Sequence, residues 1–155
     1  MNNPIEFASR RTLLLAAMAC ATGTASAALP DIVNIRFGIV REISEGIFEF
    51  VQQTTRIPRK LKDTGFRFGL GFENPTGEPI EWYELVHLPS ELKEVSGNMQ
   101  RTRNKVMRTL TLKSDQLTVV DDFWFDEGDP LGRHRMELYV NGALRYSVNF
   151  TVVDP

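Results

Sequence analysis

Two histidines and one acidic turn are the residues of this 155-residue chain whose types could do chemistry. His87 stands in "VHLPS" and His134 in "LGRHR". Between them "DDFWFDEGD", residues 121–129, carries Asp121, Asp122, Asp126, Glu127 and Asp129. Zinc takes three or four His, Cys or carboxylate ligands, so two histidines alone need carboxylates to complete a set. Calcium takes several oxygens, which an acidic turn can supply. The spacing is not that of an EF-hand loop, which alternates oxygen ligands about a central glycine. A small enzyme or metal-binding protein using His87, His134 and the 121–129 turn is one reading. The plainer reading leaves the turn as solvated charge. Met99, Met107 and Met136 are scattered and form no Met-His cluster for copper.

No Gly-x-Ser-x-Gly elbow, P-loop or GxGxxG motif occurs. The sole cysteine, Cys20, lies in the N-terminal segment discussed below. We therefore expect no catalytic residue, no metal site and no cofactor. Two basic stretches remain. "RIPRKLK" carries Arg56, Arg59, Lys60 and Lys62, and "RTRNKVMR" carries Arg101, Arg103, Lys105 and Arg108 with no acid between. Either could dock an anionic partner. On an edge strand such charge also blocks edge-to-edge pairing.

These residues must be held by strands. In "GRHRMELYVNGALRYSVNFTV", residues 132–152, apolar and polar side chains alternate with the period of two that a half-buried strand requires. Asn141-Gly142 is the strongest turn signal in the chain. A two-residue turn would set Leu138 against Arg145. A three-residue loop, Val140-Asn141-Gly142, pairs Leu138 with Leu144 and Met136 with Tyr146, and the apolar pattern favours it. Further strands are expected at 32–40, at Phe48–Phe50, at 66–72 with Phe66, Phe68, Leu70 and Phe72 inward, at 80–88, at 104–113 and at 116–125. Arg67 should face water, so Arg67→Ala should matter little. The glycines of "FGLGF" read as a bulge or close packing rather than a phosphate loop. Residues 54–65 read as loop. Residues 89–98 hold one helical turn capped by Ser90 or no regular structure. If 104–113 is one strand, Arg108 shares a face with Val106, Leu110 and Leu112. Arg101, Arg103 and Lys105 then form a wet, basic face, the expected binding site.

Seven or eight strands at this spacing predict an all-β, antiparallel, immunoglobulin-like β-sandwich. Trp82 is its candidate core tryptophan. In such folds a tyrosine after a corner bonds back to upstream backbone. Gly132-x-His134 can make the same reach, so His134 reads first as a corner residue.

Residues 1–27 read as a signal peptide. Arg10 and Arg11 precede the apolar run "LLLAAMACA", and "ASA" at 25–27 is a small-residue cleavage site. "SRRTLLL" also fits twin-arginine export. Cys20 ends the run where a lipidated cysteine would stand, without the usual leucine three places earlier. The run is shorter than the roughly 20 residues of a membrane span. Cleavage leaves a single domain, 28–155, in the periplasm or outside the cell, with no cysteine and hence no disulfide. Its net charge moves from −2 to −3 on losing Glu6, Arg10 and Arg11. That balance argues against a nucleic-acid partner.

"TTRIPRKLKDTGFRFGLGFEN", "LVHLPS" and the closing "VDDFWFDEGDPLGRHRMELYVNGALRYSVNFTV" resemble a family of small secreted bacterial β-sandwich domains of unknown function. Its pattern is an Ile-Pro before a Gly-rich aromatic strand, a His-x-Pro segment and a closing x-Gly hairpin. The likeness spans most of 32–153 and implies architecture and secretion, not an activity. Members often carry Trp or Tyr where this chain has His134. The expected function is a non-enzymatic binding or accessory module. Its partner would be an anionic envelope component, or a protein paired through an edge strand.

Overall fold

Period-two alternation carries through the computed structural model, which describes residues 32–91, 99–103 and 105–155. Residues 1–27, read as a signal peptide, and most of 89–98 lie outside them. Among the described residues eleven strands follow in order. They are β1 (Val33–Ser44), β2 (Ile47–Gln53), β3 (Arg56–Pro58), β4 (Phe66–Glu73), β5 (Ile80–His87) and β6 (Met99–Arg103), then β7 (Val106–Thr109), β8 (Leu112–Ser114), β9 (Thr118–Phe123), β10 (Gly132–Val140) and β11 (Ala143–Val153). The smaller sheet runs β2-β1-β4-β9 and the larger β3-β11-β10-β5-β7-β6, with β8 also on β5. Every pairing is antiparallel except β3 on β11.

The core between the sheets is largely aromatic. Phe68 is 2% exposed and lies within ring-contact distance of Phe37, Phe123, Phe125 and Phe150. Phe72 meets Trp82 edge-on at 5.8 Å, so Trp82 is a core tryptophan. Leu70, Met136, Leu138, Val140 and Val152 complete the layer. Gly69 and Gly71 of β4 face outward, where their lack of a side chain is used. A Cβ on Gly69 would stand 2.3 Å from the Asp121 carbonyl oxygen, and one on Gly71 2.7 Å from the Phe50 ring. Close strand and ring approach, as expected, explains "FGLGF".

Four expectations change. The strand count rises because β3 and β8 are short additions and "RTRNKVMRTLTLK" divides among β6, β7 and β8. β3 falls within what reads as loop; Ile57 is fully buried there and anchors it beside Val152. On β7, Met107 and Thr109 are buried and Val106 and Arg108 face outward, the reverse of the expected register. Arg108 leaves the apolar row and sets its guanidinium 3.9 Å from the Tyr83 ring centre.

The hairpin corrects both registers considered for it. Val140 pairs with Ala143 across a two-residue turn, and Asn141 and Gly142 both have positive φ, 49° and 78°. That backbone matches the twist of the flanking strands. A bulge then shifts the register between Leu138 and Tyr139, so Leu138 meets Tyr146 and Met136 meets Val148. The extra residue keeps the apolar row inward and sends Leu144 to the surface. Asn141 also clamps β5: its N–H donates to the Glu81 carbonyl at 2.7 Å and its Oδ1 accepts the Glu81 N–H at 2.9 Å.

Candidate functional site

The acidic turn and the first basic stretch neutralise each other. Lys60 pairs with Glu127 at 2.9 Å and Lys62 with Asp126 at 2.6 Å. Arg59 binds Asp154 and donates to the Asp129 carbonyl at 3.3 Å. The Asp129 carboxylate accepts the Asp126 N–H. Lys60 holds Glu127 below the usual carboxylate range. Asp122 faces outward and binds Arg67, while Asp121 shares the inward face of β9 with Val119 and Phe123. The five acids thus diverge. Among the described residues no group of three or more His, Cys, Asp or Glu could hold a metal ion.

The histidines do not meet either. They lie on adjacent strands, β5 and β10, but point to opposite faces of the larger sheet. His134 is 3% exposed and packs between Phe125 and Phe150 at 5.1 and 5.2 Å. Its Nδ1 bonds the Gly132 carbonyl at 2.9 Å, the corner contact read from Gly-x-His. That bond makes Nδ1 the protonated nitrogen of the neutral ring. Nε2 is buried without a partner, and burial holds the imidazole below its ordinary value. A neutral ring sealed by phenylalanines has no route to a substrate.

The outer face of the larger sheet is where polar groups converge. Outward positions of β5 and β10 bring Tyr83, His87, Arg135, Glu137 and Tyr139 together. Tyr83 and Tyr139 stack at 5.0 Å with rings 3° from parallel, and Arg108 covers Tyr83. Glu137, 8% exposed, stands 3.1 Å from both Arg135 and His87 and accepts the Tyr139 hydroxyl at 3.3 Å. Toward β11, a cavity of about 290 Å³ is lined by Thr55, Arg133, Asn149, Phe150 and Thr151. Arg133 is exposed and forms no ion pair among the described residues. Stacked phenols, a guanidinium platform and an unpaired arginine beside a polar hollow can grip an anion without doing chemistry on it.

Of the expected basic face, Lys105 is exposed in the β6–β7 turn at φ 66°. Arg101 and Arg103 lie on β6, and their side chains are outside the described residues. Sequence reading missed Tyr83, Arg108, Arg133, Glu137 and Tyr139 as one surface. The signal was present in "YELVH" and "RHRMELY", whose outward positions carry Tyr, His, Arg and Glu instead of the small hydroxyls and lysines of a plain wet face.

Residues 35–153 match the model of the PM0630 beta sandwich domain. The chain belongs to that family. An immunoglobulin-like protein from Pseudomonas aeruginosa, known from its crystal structure, superposes with a TM-score of 0.55 at 21% identity, covering 81% of this chain and 99% of that one. No curated protein matches the sequence. At that identity the likeness speaks for the immunoglobulin-like fold. Family and fold together fit a non-catalytic accessory module. Among the described residues no helix is long and apolar enough to cross a membrane.

Proposed function

We propose that this PM0630-family domain is a non-enzymatic binding module of the bacterial periplasm or cell surface, and that the outer face of its larger sheet binds an anionic envelope component. One observation carries the reading. Arg108, Arg133 and Arg135 share that face, and Glu137, its one buried acid, already lies against Arg135 and His87. The surplus there is positive although the whole chain is net negative. The location rests on residues 1–27. Mass spectrometry of the exported protein should find Ala28 at its N-terminus. An intact Met1 or a lipid on Cys20 counts against it.

Purified protein should bind anionic lipid vesicles, lipopolysaccharide or peptidoglycan fragments at low salt. Affinity should fall as salt rises, because exposed charges are screened over roughly 8 Å at physiological ionic strength. Arg108→Gln with Arg133→Gln should weaken binding about tenfold or more, the expected effect of losing two charge-assisted contacts. Changing Arg101, Arg103 and Lys105 to Gln should have the smaller effect. The reverse ranking moves the site to β6, and no binding to any of the three overturns the proposal.

A second reading, partner pairing through an edge strand, is favoured by β2. This edge strand of the smaller sheet exposes Ile47 at 56% and Val51 at 51%.

A further inference from the structure

Glu84 is the one charged residue of the described chain with no exposure at all. It points inward from β5, between Trp82 and Val86. Its Oε2 accepts the Thr109 hydroxyl at 2.9 Å, and that hydroxyl accepts the Glu84 N–H at 2.8 Å. Thr109 has then spent its only proton. Oε1 is buried with no partner, as is the Trp82 indole N–H. A carboxylate left this way is costly, whereas a protonated carboxyl carries no charge to desolvate.

The opposite sheet brings a second acid to the same level. Trp82 packs on Phe72, whose partner on β9 is Val119. One step along β5, Glu84 comes level with Leu70 and its partner Asp121, which also faces inward. No compensating cation faces the pair from the described side chains of the surrounding strands. Arg67 on β4 binds Asp122, Arg108 on β7 lies on Tyr83, and Lys113 on β8 pairs with Glu81 at the surface. Arg133 and Arg135 on β10 face outward, and Arg36 on β1 lies over Phe50. The neighbouring acid Asp122 donates its N–H to Asp121 Oδ1 at 3.1 Å.

We propose that Glu84 and Asp121 form a buried acid pair between the two sheets that is uncharged in mild acid, and that its ionisation loosens edge strand β9, making the sandwich tighter in mild acid than above neutrality. β9 is the element that gives, because among the described residues it lies at the edge of its sheet and pairs with β4 alone. Titration supports the direction. Burial first, and Asp121 second, push Glu84 well above its ordinary value. Burial also pushes Asp121 up to about 6. Both groups bind a proton more tightly folded than unfolded. Their stabilisation is fully present below the unfolded value near 4 and is lost as pH rises through the folded values, that of Asp121 lying at about 6.

His134 titrates nearby with the opposite sign, so the informative quantity is wild type against variant. Urea unfolding of the full chain at pH 5.5 and 8 should show Glu84→Gln gaining on wild type by tenfold or more in folding equilibrium at the higher pH. Asp121→Asn should do the same. Hydrogen exchange of the β9 amides should quicken at pH 8, beyond the intrinsic pH effect, in wild type only. Parallel pH profiles for wild type and both variants overturn the proposal. So does restoration of the wild-type midpoint at pH 8 by calcium or magnesium, which would make the pair a cation site.

Discussion

Phe68→Ala should leave the protein close to unfolded at room temperature. Phe68 is 2% exposed and touches four other phenylalanines, lying flat on Phe125 at 5.0 Å. Two of these, Phe37 and Phe123, come from its own sheet, and Phe150 comes from the other. Truncation therefore removes the ring that joins the layers and leaves a cavity that rigid aromatic neighbours cannot refill. Such substitutions cost about 3–5 kcal/mol. A domain of this size has about 5–15 kcal/mol in all. Urea denaturation followed by tryptophan fluorescence should show the midpoint fall by half or more. Arg67→Ala is the companion measurement. Arg67 binds Asp122 and lies over Phe48 at 5.5 Å and Trp124 at 5.4 Å, so the change should cost about 1 kcal/mol. The wet position read from alternation carries a real contact set. Equal losses at 67 and 68 would mean that the core is not centred on Phe68.

Gly69→Ala should destabilise nearly as much as deleting a core side chain, although it adds a single methyl. The new Cβ would meet the Asp121 carbonyl oxygen at 2.3 Å and the Val40 methyl at 3.3 Å. The carbonyl belongs to backbone, so β4 and β9 must separate to relieve the clash. Overpacking of this kind costs about 1–3 kcal/mol, and a backbone obstacle places it at the upper end. Gly46→Ala is the control. Gly46 has φ 70° but open space around the added atom, so only the left-handed backbone is penalised, by about 1 kcal/mol. Chemical denaturation of both variants should rank Gly69→Ala clearly lower. The opposite ranking would deny the close approach of β4 and β9.

What alternation alone could determine was considerable. "FRFGLGF" and "MELYV…LRYSVNFTV" place Phe68, Phe72, Met136, Leu138, Phe150 and Val152 on one face, and all are buried. Strand spacing decided the class, because period-two stripes separated by turn residues can bury their apolar faces only sheet against sheet. Gly-x-His foretold the corner contact of His134, since both partners lie within three residues.

Tertiary structure decided what depends on residues far apart in sequence. The hairpin kept its two-residue turn and recovered its apolar register with a bulge, a compromise set by β5 across the sheet. On β7, the need to bury Met107 and Thr109 beneath the opposite sheet reversed the faces read from leucine spacing. Lys60 and Lys62 are 67 and 64 residues from the acids they pair with, so each stretch alone looked like an unsatisfied charge run. Nothing in "EWYELVH" marks Glu84 as a site, and only the sheet laid over it makes it a fully buried acid. Side-chain period is a local property of the chain, whereas a charge's partner and its distance from water are set by which strands the fold brings together.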